Sequence, residues 1–154
     1  MADSEKISAC VLVIGNEVLS GRTKDANLNW IASRCTEKGI RLAEARVIPD
    51  EEDVIVDAIN ECRQKYNYVF TTGGIGPTHD DITASSVAKA FGVKIERRKE
   101  AVELLETFIK KENLNEARLK MAEMPVGAEL IYNPVSKAQG FRMNNVYVMA
   151  GVPS

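Results

Sequence analysis

The chain has 154 residues, with 20 Lys and Arg against 22 Asp and Glu and a formal net charge of −2. That length predicts a single domain over 1–154 with a core of its own, and the near-neutral balance, without runs of Lys and Arg among aromatics, predicts no nucleic-acid partner. No apolar run approaches the roughly 18 residues of a membrane span, and the polar segment 1–6 does not read as a signal peptide.

Residues 7–14 are a short apolar run ended by Gly15, the pattern of a buried strand. Residues 25–38 carry Leu28, Ile31, Ala32 and Cys35 on one helical face, with Gly39 as a stop. A second strand over 42–48 ends at Pro49, and Asp50 or a neighbour caps a helix striped by Ile55, Ala58, Ile59 and Cys62. A third strand, 68–72, runs into a glycine-rich turn. Residues 83–91 read as a helix with Ala84, Val87, Ala88 and Phe91 inward, then a short strand over 93–96. An amphipathic helix over 100–112 presents Ala101, Leu104, Leu105, Phe108 and Ile109, and a short helix covers 115–121. Short strands at 128–132, 140–143 and 146–149 are joined by turns at Asn133-Pro134 and Asn144-Asn145. Cys10, Cys35 and Cys62, odd in number and far apart, fit a reducing cytoplasmic compartment and read as small buried hydrophobes.

Alternating strands and helices with short connections predict an α/β fold, a parallel sheet with helices on both faces. Ligands of such sheets collect beyond the carboxyl ends of the strands. Three segments meet there: 15–22, 49–53 and 71–81. Chain order stops at 151–154, directly after an apolar strand, as if another loop and helix were to follow.

The third segment reads Thr72-Gly73-Gly74-Ile75-Gly76-Pro77-Thr78-His79-Asp80-Asp81. Glycines let the backbone approach a ligand, and consecutive N–H groups in such a turn form an anion nest ahead of a helix N-terminus. The plain alternative is a tight strand-to-helix connection. The turn has no Walker lysine and does not match G-x-G-x-x-G. Asp80 and Asp81 follow instead, and carboxylates beside a phosphate repel it unless a divalent cation lies between them. A phosphate ligand here therefore implies a metal on Asp81 and Asp80. The competing reading is capping: Thr78-x-x-Asp81 fits a capping box, and Asp80 can serve as the one acid a cap needs. His79 reads as a solvated bystander. Asp50 would face the same crevice, with helix capping as its alternative. Glu17 is either a ligand group or a solvated loop acid, and Ser20-Gly21-Arg22 offers a hydroxyl, a flexible backbone and a fixed positive charge for phosphate.

Together, Ile14-Gly15-Asn16-Glu17-Val18-Leu19-Ser20-Gly21 and Thr71-Thr72-Gly73-Gly74-Ile75-Gly76-Pro77-Thr78-His79-Asp80-Asp81-Ile82-Thr83 resemble the molybdopterin-binding domain superfamily. They are most similar to the N-terminal domain of the competence/damage-inducible protein A family, and also resemble the molybdopterin-like domain of eukaryotic FAD synthase. Pro125-x-Gly127-Ala128, Asn133-Pro134, Gly140-Phe141 and Gly151-Val152-Pro153 extend the likeness along the chain. The resemblance implies a three-layer α/β/α fold and a homo-oligomer, dimer or trimer. It implies a small phosphorylated ligand held with a divalent metal (Mg, Mn or Co): ADP-ribose or FAD cleaved at the pyrophosphate, or molybdopterin bound or adenylylated. A non-catalytic phosphometabolite module is the third possibility. The superfamily's acids match Asp50 and Asp81, and its Ser-Gly element matches Ser20-Gly21. Two stretches depart from the pattern. Met149-Ala150 stands where Leu-Pro is usual, and Ser136-Lys137-Ala138-Gln139-Gly140-Phe141 where Gly-Thr-Ala-Pro-Gly-Phe is usual, leaving Lys137 as a candidate phosphate contact. The C-terminal amidase domain of longer family members is not expected in this sequence, so its activity is not assigned.

Overall fold

The computed structural model describes residues 7–22, 24–131 and 139–149. The expected turn at Asn133-Pro134, the candidate Lys137 and the closing Gly151-Val152-Pro153 lie outside them. The centre of the molecule is β1 (Ser8–Ile14), in which every residue after Ser8 is buried. A strand buried on both faces must lie inside a sheet that is itself covered twice, and its unbroken Ala-Cys-Val-Leu-Val-Ile run supplies that. It pairs in parallel with β2 (Arg41–Ile48) on one side and β3 (Tyr68–Thr72) on the other. β3 pairs in parallel with β8 (Val146–Met149), which is followed antiparallel by β7 (Gly140–Met143) and β6 (Glu129–Ile131). The sheet order is β2-β1-β3-β8-β7-β6.

Period-two alternation divides the core. Cys10, Leu12 and Ile14 enter a large cluster with Ile55, Ile59 and Cys62 of α3 (Glu52–Lys65) and Val87 of α4 (Thr83–Phe91). Val11 and Val13 point the other way, against Ile31 and Cys35 of α2 (Asn27–Glu37). Each of the Val, Leu and Ile side chains among them, when fully buried, contributes about 1.5–3 kcal/mol. The fold is thus α/β, a mostly parallel sheet between helical layers. Among the described residues no helix is long and apolar enough to cross a membrane.

Several local expectations are corrected. The segment after β1 is a one-turn helix, α1 (Asn16–Leu19), rather than open loop. The helix expected over 100–112 is α5 (Lys99–Phe108), and the chain leaves it extended at Ile109. Ile109 is the last residue of the stripe, and the exposed Lys110, Lys111 and Glu112 would bury nothing by continuing it. The helix expected over 115–121 is one turn, α6 (Glu116–Leu119), followed by a 3-10 turn over Lys120–Ala122. The strand expected near 93–96, β4 (Ile95–Arg97), pairs outside the main sheet with β5 (Glu123–Pro125), which the sequence did not announce. Asn144 takes φ 56°, the left-handed conformation a two-residue hairpin between β7 and β8 requires.

Register brings the strand ends together. Ile14 lies opposite Ile48, Val13 opposite Thr72, and Thr72 opposite Met149. The chain runs outward from β1 to β2 and then crosses back to β3, so the loops after β1 and β3 diverge at the sheet's switch point.

Candidate functional site

The glycine turn is a strand end folded back onto the next helix. Gly73 and Gly74 take φ +92° and +73°. A Cβ on Gly73 would lie 2.1 Å from the Ile14 carbonyl oxygen, and one on Gly74 would lie 2.1 Å from Thr83 Oγ1. Both positions need glycine for conformation and for space. Thr83, the first residue of α4, fastens the turn: its Oγ1 donates to the Gly73 carbonyl (2.9 Å) and its N–H to the Gly74 carbonyl (3.0 Å). The carbonyls of Gly73 and Gly74 are thereby engaged. Among the described residues no acceptor is paired with the amide N–H groups of Gly74, Ile75 or Gly76. That is the donor pattern of an anion nest.

Asp81 closes the turn. Its Oδ2 accepts from the Thr78 N–H (2.9 Å) and Thr78 Oγ1 (2.8 Å). Gly76 has no side chain because a Cβ there would stand 2.9 Å from that oxygen. The capping reading is corrected here. The N-cap of α4 is Ile82, without a side-chain cap bond, so Thr78 and Asp81 form a separate turn and Asp80 caps nothing. Asp80 is exposed, 3.3 Å from Nε2 of a His79 side chain that is 93% exposed.

Asp50 is held by the loop after β1. Its Oδ2 accepts the Asn16 N–H (3.1 Å), its own N–H donates to Asn16 Oδ1 (3.3 Å), and the Gly15 N–H donates to the Ile48 carbonyl (2.9 Å). Glu51, not Asp50, is the N-cap of α3. Burial pushes the Asp50 carboxyl above the ordinary aspartate range. The Asn16 amide opposes the shift, and the negative charges of Glu17, Asp81 and Asp80 add to it. Acids from the loops after β1 and β3 therefore act on Asp50, at the end of β2, through their negative charge.

Beside the turn opens a cavity of about 290 Å³. Gly74, Ile75, Gly76 and Asp81 form one wall, Ile95, Met121 and Phe141 an apolar one, and Lys120 and Glu123 add charge. Lys120 Nζ donates to the Thr78 carbonyl. Sequence reasoning missed Lys120: it sits in a 3-10 turn with no motif around it, and only the tertiary fold carries it to the glycine turn. Gly15, Glu17, Ser20, Gly21, Arg22 and Asp50 do not line this cavity. Ser20, Gly21 and Arg22 are exposed, with Arg22 Nε donating to Ser20 Oγ (3.1 Å) and Ser20 Oγ to the Glu17 carbonyl (3.3 Å). Thr72 is buried at the end of β3, its hydroxyl without a partner among the described residues, while Pro77 and Thr78 are exposed at the turn's tip.

A second group of metal-ligating type is Cys10, Glu44 and Cys62, none of which lines this cavity. The two sulfurs are 3.3 Å apart and both residues are wholly buried. Burial pushes both thiols up, which keeps them protonated. Glu44 is already committed: it accepts from Arg46 Nε (2.7 Å) and Tyr66 Oη (2.6 Å), and Arg46 supplies the neutralising charge. These are packed thiols beside a satisfied ion pair, and Cys35 is buried as well.

The fold and turn together define an α/β domain with backbone amides unpaired among the described residues, and carboxylates, at its switch point. The family model described as "Probable molybdopterin binding domain" matches residues 10–154, and the chain belongs to that family. It is similar to a CinA-like protein of Citrifermentans bemidjiense, 38% identical over 149 residues, 93% of this chain and 36% of the relative. An Archaeoglobus fulgidus protein is 36% identical over 144 residues, covering 94% of this chain and 62% of the relative, so the chain spans less than two thirds of the length of these relatives. The crystal structure of CinA from Thermoplasma acidophilum superposes with a TM-score of 0.88 at 32% identity, covering 96% of this chain and 90% of that one. The chain is a molybdopterin-binding-type domain of the CinA kind.

Proposed function

We propose that this domain hydrolyses the pyrophosphate of dinucleotides such as ADP-ribose or FAD, with a divalent cation (Mg, Mn or Co) as cofactor. The observation that carries the reading is the juxtaposition of the unpaired amides of Gly74, Ile75 and Gly76 with Asp81. The donor set fits such a cation: Asp50, Asp81, Asp80 and Glu17 offer only hard oxygen atoms, and their mutual repulsion at Asp50 is the state a bound cation relieves. Asp81, with Oδ2 pinned by Thr78, and Asp80 would hold it. The cation would neutralise charge on the diphosphate and polarise phosphorus.

The chain's own residues do the rest. The turn amides hold the non-bridging oxygens, where negative charge grows as water adds. Asp50, with its raised proton affinity, takes a proton from the attacking water. The new P–O bond forms from that water and the bridging P–O bond breaks, releasing AMP and a second phosphate monoester. The cavity beyond the turn receives the organic group attached to the phosphate.

Incubation with each metal and ADP-ribose or FAD, with AMP release followed by chromatography, tests this. Release that disappears in Asp81→Ala, with the thermal melt retained, is expected. The description of the matching family favours a second reading, molybdopterin binding or adenylylation. Tight pterin binding without turnover of either dinucleotide would establish it in place of hydrolysis. Neither turnover nor pterin binding would leave a non-catalytic module.

A further inference from the structure

We infer that Lys120 is the phosphate-binding cation of this site, standing in for the lysine that the glycine turn lacks. The inference rests on the proposed diphosphate reading. The Walker-type glycine loop carries its phosphate-binding lysine within the loop itself. Here that position is empty, and the 72–81 segment contributes only acids and the exposed His79. The fold supplies a lysine from 42 residues further along the chain.

Three observations converge on it. Lys120 lines the same cavity as Gly74, Ile75, Gly76 and Asp81, where it is the cationic member of the lining beside Asp81 and Glu123. Its Nζ reaches across to the Thr78 carbonyl, next to the atoms that hold Asp81 in place. Among the described residues it forms no ion pair. Lys94, Lys99 and Lys110 are likewise without an ion pair among the described residues, but none of them lines the cavity. Lys120 is half-buried as a residue, and its ammonium, satisfying one backbone carbonyl, retains two further N–H donors and a charge that no ion pair among the described residues neutralises.

A diphosphate seated on the turn amides brings non-bridging oxygens to this cavity wall. Lys120 leaves or shares the Thr78 carbonyl and donates to them. Releasing a neutral carbonyl for an anionic oxygen is favourable, since hydrogen bonds between ionised partners are about twice as strong as neutral ones. It also gives the site a preference for the more highly charged ligand, which the acids alone would repel.

Titration calorimetry at fixed Mg²⁺ with adenosine, AMP, ADP and ADP-ribose tests the inference on wild type, Lys120→Gln and Lys120→Arg, with melts to establish folding. The expected result is a loss of about 10- to 100-fold in ADP and ADP-ribose affinity for Lys120→Gln, with adenosine unchanged. Lys120→Arg should recover part of the loss, and the dependence of log Kd on KCl should be shallower in Lys120→Gln than in wild type. Wild-type affinity and salt dependence in Lys120→Gln would overturn the role of Lys120 and leave the diphosphate reading standing. Equal losses for all four ligands, with a lowered melt, would also overturn it, since Lys120 would then only brace the Thr78 turn. Failure of wild type to bind or turn over any of the diphosphates would instead remove the diphosphate reading, and this inference with it.

Discussion

Replacing Gly73 with alanine tests the junction on which the site is built. The new methyl group would stand 2.1 Å from the Ile14 carbonyl oxygen, a backbone atom that cannot rotate away. The residue would also sit at φ +92°. The left-handed conformation alone costs an L-residue about 1–2 kcal/mol, and overpacking adds about 1–3 kcal/mol, for a total of about 2–5 kcal/mol. Gly21 provides the control. It has a similar φ of +80° but nothing within 4 Å of an added Cβ, so Gly21→Ala carries the conformational cost without the collision. At roughly 2–4 °C per kcal/mol for a domain of this size, Gly21→Ala should lower Tm by about 2–8 °C and Gly73→Ala by about 4–20 °C. Urea unfolding with unchanged m-values should rank the two in the same order. Equal costs would refute the close approach of β3's end to β1's end, and with it the placement of the two loops at one site.

Other outcomes follow from the electrostatics and burial. Asp50 carries a raised proton affinity, so the folded state holds its proton more tightly than the unfolded one. Its contribution to stability is therefore favourable at low pH and is lost as pH rises through the folded pKa, which lies above the ordinary aspartate value of 3.8. Asp50→Asn keeps an acceptor for the Asn16 amide and should raise Tm at pH 7 while abolishing turnover. The gain should vanish below about pH 3.8, and a lower Tm at neutral pH would contradict the repulsion. Arg46 donates to Glu44 and Glu61 at 2.7 Å each and holds both carboxyls below their usual range. Arg46→Met should destabilise by about 1–3 kcal/mol at pH 7, with the difference from wild type shrinking as pH falls below the ordinary glutamate value of 4.5, measured by urea melts at several pH values. All three cysteines are buried, so iodoacetamide at pH 7.5 should label none in the native protein and three in urea. Rapid native labelling of Cys10 or Cys62 would show that their shared pocket opens.

The sequence by itself determined what depends on local spacing. The apolar run of β1, the stripe of Ile55, Ala58, Ile59 and Cys62, and the glycines at 73 and 74 were legible because period and backbone freedom are written residue by residue. The family was legible for the same reason, since its fingerprint lies in short contiguous stretches, 14–21 and 71–83 foremost. Tertiary structure decided what depends on distant partners. The reciprocal bonds between Asn16 and Asp50 span 34 residues and tie the loops after β1 and β2 together, while Glu51 takes the N-cap that was the alternative reading of Asp50. The pairing of Thr78 with Asp81 looks like a capping box in sequence, yet the helix begins at Thr83, because Thr83 clamps the carbonyls of Gly73 and Gly74. Lys120 had no sequence signal at all. A side chain recruited across 42 residues is placed by the packing of the elements that carry it, and no local pattern encodes that distance.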